Sequence, residues 1–376
     1  MELSNEDSLR LHVLLKNVEA IRIDEPSLTV YGLASQNGAA REAKVALNPN
    51  CRPEQYLRRV REFFSGAVLG SPGGYPLHLN RWTRMGQTKD GNLAELLMLG
   101  EPEAVAAVSG ASGLTDDLAR RVWWIAPTSE NARRMLERES VARGAMGPIL
   151  AQHLIDYLPF ESESRVMFDT VRLVLQPGLI DDDARARLWA KGAKHPPYRV
   201  GFLQATPNAL PHSGDARADL AEYRAALTDL AAAGNTTAAT LLQALEAPGQ
   251  AFIDSSRAIL ERPTDRDVVV TVLNLLGAYF QGARRGDPAA RDIDHLVADA
   301  GVACAQRAEC VAILHKTPAL AAELRAILIL SRVSEAVIID VLAHTSATGT
   351  VLRKKLEPIT QIVVAQLAQL THGQRA

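Results

Sequence analysis

The chain has 376 residues, of which 47% are hydrophobic and 22% are charged, so it is long enough to fold as two globular domains with buried cores. Its formal net charge is −2, whereas duplex-binding proteins carry a clear basic excess, and we therefore expect no DNA partner. It contains no apolar run of the about 18 residues that a membrane span requires, and its polar, acidic start lacks the features of a secretory signal. These features predict a cytoplasmic protein without a membrane span.

The N-terminal residues predict a helix followed by a small antiparallel sheet. Ser4 is a typical helix N-cap, and apolar residues follow it at helical spacing. The period then changes, and from Ile21 onwards apolar and polar residues alternate as in a half-buried strand. Asn37-Gly38 is a hairpin signal because both residues tolerate a positive φ. We interpret residues 20–47 as a small antiparallel meander.

A second helix is predicted from Pro53, and a segment rich in glycine follows it. Residues 69–87, "LGSPGGYPLHLNRWTRMGQ", match neither the phosphate-binding loop of nucleotide hydrolases nor the dinucleotide fingerprint. The glycines are typical of a tight turn into a strand. The alternative is a surface that contacts a partner or an anion, together with arginines of the preceding helix. The residues of this candidate surface are Arg58, Arg59, Arg61, Gly73, Gly74, Arg81, Trp82 and Arg84.

Short helices separated by proline or glycine account for the remainder of the chain. The segment "HPPYRVGFLQATPNALPHSGD" at 195–215 is rich in proline, and we interpret it as a domain boundary. The predicted fold class is mainly α with a small antiparallel β element near the N-terminus. An α+β domain would occupy residues 1–205, and an all-α helical domain residues 214–376.

No arrangement of residues predicts a reaction, a cofactor or a metal site. The hydrolase, zinc-protease and kinase motifs are absent from the sequence, and the aspartates at 181–183 are typical of a helix start. Cys304 and Cys310 fall on different faces of a helical segment and are typical of buried cysteines, whereas Cys51 follows a turn and is a candidate exposed thiol. The pair Trp123-Trp124 fits either a contact site or a partly buried seam.

Several stretches resemble the DsrS family, cytoplasmic proteins encoded with the dissimilatory sulfite reductase machinery of sulfur-oxidising bacteria. The similar stretches are "NEDSLRLHVLLKN", "AIRIDE", "LRRVREFFSGAVLGSPGGYPLHLNRWTRMGQ", "LGEPEAV", "LARRVWW", "NARRMLER", "YLPFE" and "VRLVLQPGLI". The resemblance is strongest over residues 1–215. It implies an accessory role in cytoplasmic sulfur oxidation, and it supplies no active-site residues.

Three functions remain open from the sequence. The first is a non-enzymatic accessory protein that acts through protein partners of the sulfur oxidation machinery. The second is a regulator that binds RNA or another anionic ligand through the arginines and Trp82, since arginine pairing and aromatic stacking suit single strands. The third is a sulfur carrier that uses a thiol of Cys51, Cys304 or Cys310, and it ranks last because no neighbouring residue in the sequence activates them.

Overall fold

The computed structural model of the chain describes residues 3–36, 39–70, 93–212, 214–263, 265–286, 290–343 and 349–371. Within these ranges α-helices dominate, and one three-stranded antiparallel sheet lies near the N-terminus. The predicted fold class is therefore confirmed. In the described part of the chain, no helix is both long enough and apolar enough to cross a membrane.

The first of two compact units comprises residues 1–159 and 176–180. Its described elements are α1 (Asn5–Leu15), β1 (Ala20–Asp24), β2 (Thr29–Gln36), β3 (Ala39–Ala46), α2 (Pro53–Leu69), α3 (Leu93–Leu96), α4 (Pro102–Ser109), α5 (Asp116–Ile125), α6 (Ser129–Leu136), α7 (Glu139–Ala142) and α8 (Met146–Tyr157). The predicted helix starts at Ser4 and Pro53 agree with these bounds. The Ser4 hydroxyl accepts the expected hydrogen bond from the Asp7 backbone N–H, and Thr115 caps α5 in the same way, accepting from Leu118.

The sheet has the order β1-β2-β3. One face packs on α1 and α2, and the opposite face, called the outer face below, is buried at Ala20 and Leu33 and partly exposed at Arg22 and Tyr31. On the first face Ile21 and Val30 pack with residues of α1 and α2 in one apolar cluster. Gly32 lies on this face, and a Cβ there would come within 2.6 Å of Val18 Cγ1, so only glycine permits this close approach of the chain after α1. Arg22 and Tyr31 are register partners on the opposite face.

A buried carboxylate joins the helices to the end of the sheet. Asp7 in α1 has no solvent-exposed surface. Its Oδ2 accepts hydrogen bonds from the Tyr56 hydroxyl of α2 at 2.5 Å and from the Asn48 backbone N–H at 2.9 Å. Burial raises the pKa of Tyr56, and its hydrogen bond to Asp7 acts in the same direction. Because a buried charge is costly without partners, these bonds fix α1 against α2 and the residues after β3.

The second compact unit comprises residues 160–175 and 181–376. Its described helices are α9 (Ser164–Val174), α10 (Asp182–Lys191), α11 (Pro196–Ala205), α12 (Leu220–Ala232), α13 (Thr236–Leu245), α14 (Ala247–Glu261), α15 (Arg266–Tyr279), α16 (Ile293–Gln306), α17 (Ala308–Lys316), α18 (Ala321–Leu330), α19 (Ile339–Ala343) and α20 (Gly349–Thr371), with 3₁₀ turns at Gln281–Ala283, Pro318–Leu320 and Glu335–Ile338. A further 3₁₀ turn, Leu158–Phe160, follows α8 in the chain.

The predicted boundary at residues 205–214 differs from this division. The proline-rich segment 195–215 contains α11, and Pro196 stands at the start of that helix, where a missing N–H costs nothing. Gly201 of α11 packs directly on α9, since a Cβ there would lie 2.5 Å from Val171 Cβ. Two of the prolines that suggested a linker, Pro196 and Pro197, thus begin a helix that packs within the second unit.

Removal of the Tyr56 hydroxyl tests the buried carboxylate. We expect Tyr56→Phe to lower the free energy of unfolding by about 1–3 kcal/mol, because a buried acceptor loses its hydrogen-bond donor. Tyr31→Phe is the matched control, since Tyr31 is half-buried on the outer face and loses only a hydroxyl there. Urea denaturation measures both changes. Equal effects of the two substitutions would contradict a stabilising role for the bond.

Candidate interaction surface

Two of the three predicted arginines of α2, Arg58 and Arg61, pair with carboxylates. Arg61 pairs with Glu25, and its Nε lies 3.5 Å from Glu101 Oε2. Arg58 is exposed and pairs with Glu62 one turn further along the helix, at 3.1 Å. Burial raises the pKa of Glu101, and the nearby positive charge of Arg61 opposes this shift. Two of the three charges are therefore compensated within the first unit.

The other predicted members of that surface cannot be placed. Gly73, Gly74, Arg81, Trp82 and Arg84 lie in residues 71–92, outside the described part of the chain. The alternatives of a turn into a strand and a contact surface therefore both remain predictions for this segment.

Arg59, the third arginine of α2, contacts the candidate thiol. Its Nη1 lies 3.4 Å from Sγ of Cys51, which is half-buried just before the helix. A guanidinium donor suits a sulfur atom that carries negative charge. The sequence did not reveal this neighbour, because the two residues meet only when α2 forms next to the turn.

The other two cysteines are buried in the second unit. Burial raises the pKa of Cys304, and it raises the pKa of Cys310 to about 11. These thiols are therefore neutral at physiological pH and behave as small apolar side chains, as their spacing predicted. Within the described ranges, no group of three His, Cys, Asp or Glu side chains is arranged to hold a metal ion.

A cluster of aromatic and charged side chains covers the outer face of the sheet. The Arg22 guanidinium lies 4.7 Å from the ring centroid of Tyr31 and 5.2 Å from that of Trp124 in α5. Glu42 of β3 joins them, since its Oε2 accepts from Arg22 Nη2 at 3.3 Å and from the Trp124 indole N–H at 3.2 Å. We refer to Arg22, Tyr31, Glu42 and Trp124 as the Arg22 cluster. The Arg22 and Glu42 side chains retain 39% and 42% of their exposure, so the cluster is accessible to a partner.

An ion-pair network holds α5 in position beside the sheet. Arg120 Nη2 lies 2.6 Å from Glu19 Oε1, and Arg121 Nη2 lies 3.3 Å from Glu19 Oε2. Both arginines also pair with Asp117, whose pKa they hold below its usual range although burial alone would raise it. Because Glu19 directly precedes β1, these pairs orient Trp124 over Arg22. The basic residues before the two tryptophans are thus structural partners.

A second aromatic group lies on the other side of α5. Trp123 contacts His153 of α8 edge-on at 4.8 Å, and His153 stacks on Tyr157 at 4.3 Å. Burial lowers the pKa of His153 although Asp156 acts in the opposite direction, so the ring is neutral at physiological pH. Ser129 Oγ lies 3.3 Å from His153 Nε2, but no hydrogen bond joins His153 to a carboxylate among the described residues. The residue that would orient a catalytic base is therefore missing from this pair.

The alternation of apolar and polar residues in β1 and β2 indicates that Arg22 and Tyr31 share one face of the sheet. Arg22 and Tyr31 alternate with core residues, so both belong on the face opposite the core. Their meeting with Trp124 depends on how α5 packs, which the local sequence does not specify. Both tryptophans at 123–124 are half-buried, and Trp124 is part of an accessible cluster.

Comparison with protein-family models found no match for this chain. Comparisons with curated proteins and with solved structures likewise found none.

The environments of the three cysteines predict selective thiol chemistry. We expect iodoacetamide to alkylate Cys51 alone in the folded protein, because Cys304 and Cys310 are buried. Intact mass should show a single adduct for the wild type and none for Cys51→Ser, and three adducts for the wild type in urea. A second adduct on the folded wild type would contradict the described burial.

Proposed function

We propose that this chain is a non-enzymatic accessory protein of sulfur oxidation that works with the dissimilatory sulfite reductase machinery through protein partners. The resemblance to the DsrS family over residues 1–215 supports the pathway. The Arg22 cluster supports action through a protein partner, and it is the observation that carries this part of the proposal.

The composition and rigidity of the Arg22 cluster suit a protein interface. Arginine, tyrosine and tryptophan supply most of the binding energy at protein interfaces. Here Arg22 is held between two rings, and Glu42 anchors both Arg22 and Trp124. A partner would therefore meet side chains that are already ordered, which lowers the entropy cost of binding.

A catalytic role has less support from the described side chains. Ser129 and His153 make a contact without an orienting carboxylate. Cys51 has an arginine neighbour, but a persulfide carrier also needs a donor and an acceptor, and each of these is a partner protein or a small sulfur compound. If Cys51 transferred sulfur, it would do so between such a donor and such an acceptor. The chain would then still act as an accessory protein.

Binding of RNA is the alternative, and the pairing of the α2 arginines weighs against it. Arg58 and Arg61 are engaged with carboxylates, so a phosphate would have to displace Glu62 and compete with Glu25 and Glu101. The predicted RNA-binding residues at 81–84 lie outside the described part of the chain. Capture of RNA is therefore one of the outcomes that the affinity experiment described next distinguishes.

Affinity capture from an extract of the source organism tests the proposal. We expect the tagged wild type to retain components of the sulfite reductase system after washing at high salt. Arg22→Ala and Trp124→Ala should each reduce retention by at least about tenfold, because truncation of a central interface residue commonly has such an effect. Arg143→Ala is the matched control, since Arg143 is an exposed arginine outside the cluster.

Two results would overturn this proposal. One is retention of the same partners by the Arg22 and Trp124 variants. The other is capture of RNA that elutes as salt increases, with no sulfite reductase component bound, which would favour the regulator. Circular dichroism and the thermal midpoint of each variant establish that lost binding does not reflect unfolding.

A further inference from the structure

The second unit contains a cavity that the role in sulfur oxidation does not use. Its volume is about 400 Å³, within the roughly 300–1,000 Å³ typical of small-molecule sites. Its walls come from α11 and the residues after it, and from α13, α14 and α15. All of these elements belong to the same compact unit.

A stacked aromatic pair forms the apolar part of the cavity. Tyr279 of α15 lies on Phe252 of α14, with ring centroids 3.9 Å apart and ring planes at 13°. Phe252 is 1% exposed and is therefore fixed by the core, while Tyr279 is half-buried at the cavity. Leu203 and Leu275 extend this apolar lining.

Carboxamide side chains supply the polar part. Asn208 Oδ1 accepts from the Tyr279 hydroxyl at 2.8 Å and from Gln243 Nε2 at 3.2 Å. These two bonds occupy the Asn208 carbonyl and leave its NH₂ group as a donor. Gln204 also lines the cavity, and its Oε1 is buried without a hydrogen-bond partner among the described residues. A buried acceptor of this kind is costly unless a bound group satisfies it.

The chemistry of these walls restricts the ligand. The described lining contains no Asp, Glu, Lys, Arg or His. Burial raises the pKa of Tyr279 to about 12, so this residue too is neutral at physiological pH. A charged ligand would lose its hydration in this cavity and gain no counter-charge in return. An uncharged ligand avoids this cost.

The combination of aromatic and apolar lining residues with carboxamides favours a heterocyclic base. Such a base has two apolar faces and a polar rim of donors and acceptors, and asparagine and glutamine pair readily with such a rim. We propose that this cavity binds an uncharged nucleobase or nucleoside, with Gln204 and Asn208 bonding the base edge and Tyr279 contacting its face. This proposal is independent of the role in sulfur oxidation.

Isothermal titration calorimetry on the full chain tests the site with defined probes. We expect at least one of adenosine, guanosine, cytidine and uridine to bind. Glucose and orotate, a pyrimidine that carries a carboxylate, should bind at least tenfold more weakly than the best nucleoside. Gln204→Leu should weaken that nucleoside at least tenfold, and Gln361→Ala, an exposed position outside the cavity, should leave its affinity unchanged.

A second variant keeps the test decisive if Gln204→Leu does not fold. Ala278→Trp at the exposed side of the cavity adds a bulky ring to its lining and should abolish nucleoside binding. The proposal is overturned if none of the four nucleosides binds, if glucose or orotate binds as tightly as the best of them, or if both folded variants retain the wild-type affinity.

Discussion

The first unit depends on the enclosure of one carboxylate, that of Asp7. A buried carboxylate is costly without hydrogen-bond donors. Here Oδ2 accepts from α2 and from the residue that follows the sheet by two positions, while Oδ1 is buried without a partner among the described residues. These bonds set the position of both helices against one face of the sheet. Once that face is covered, the strand alternation leaves Arg22 and Tyr31 on the other face. The Asp7 hydrogen bonds hold the helices on one face of the sheet, and Arg22 and Tyr31 therefore stay on the opposite face, where a partner can contact them.

Electrostatic pairing determines which of the many arginines are available for binding. Arg61, Arg120 and Arg121 pair with carboxylates that hold neighbouring elements together, so their charges are used inside the first unit. Arg22 differs, because its carboxylate partner Glu42 is shared with an indole and its guanidinium is flanked by two rings. Such an arrangement presents a planar, ordered cation at the surface.

Local signals in the sequence predicted the elements well and their assembly less well. The helix starts at Ser4 and Asp181 could be predicted because each cap depends on a side chain only a few residues from its partner. The predicted domain boundary stays a prediction, since proline is compatible with both a linker and the first turn of a helix. The arginine surface stays a prediction. Sequence spacing places charges near each other but does not reveal the carboxylates that long-range packing brings to Arg61. The contacts of Arg22 with Trp124 and of Gln243 with Asn208 arise from such packing.

We propose that the chain acts in sulfur oxidation through the Arg22 cluster and not through a reaction of its own. The most direct measurement is the rate at which cells of the source organism oxidise sulfur when the chromosomal copy carries both Arg22→Ala and Trp124→Ala. We expect these cells to oxidise sulfur as slowly as cells that lack the gene, although the folded variant accumulates to the wild-type level. Oxidation at the wild-type rate in cells with the double substitution would show that the Arg22 cluster is not needed.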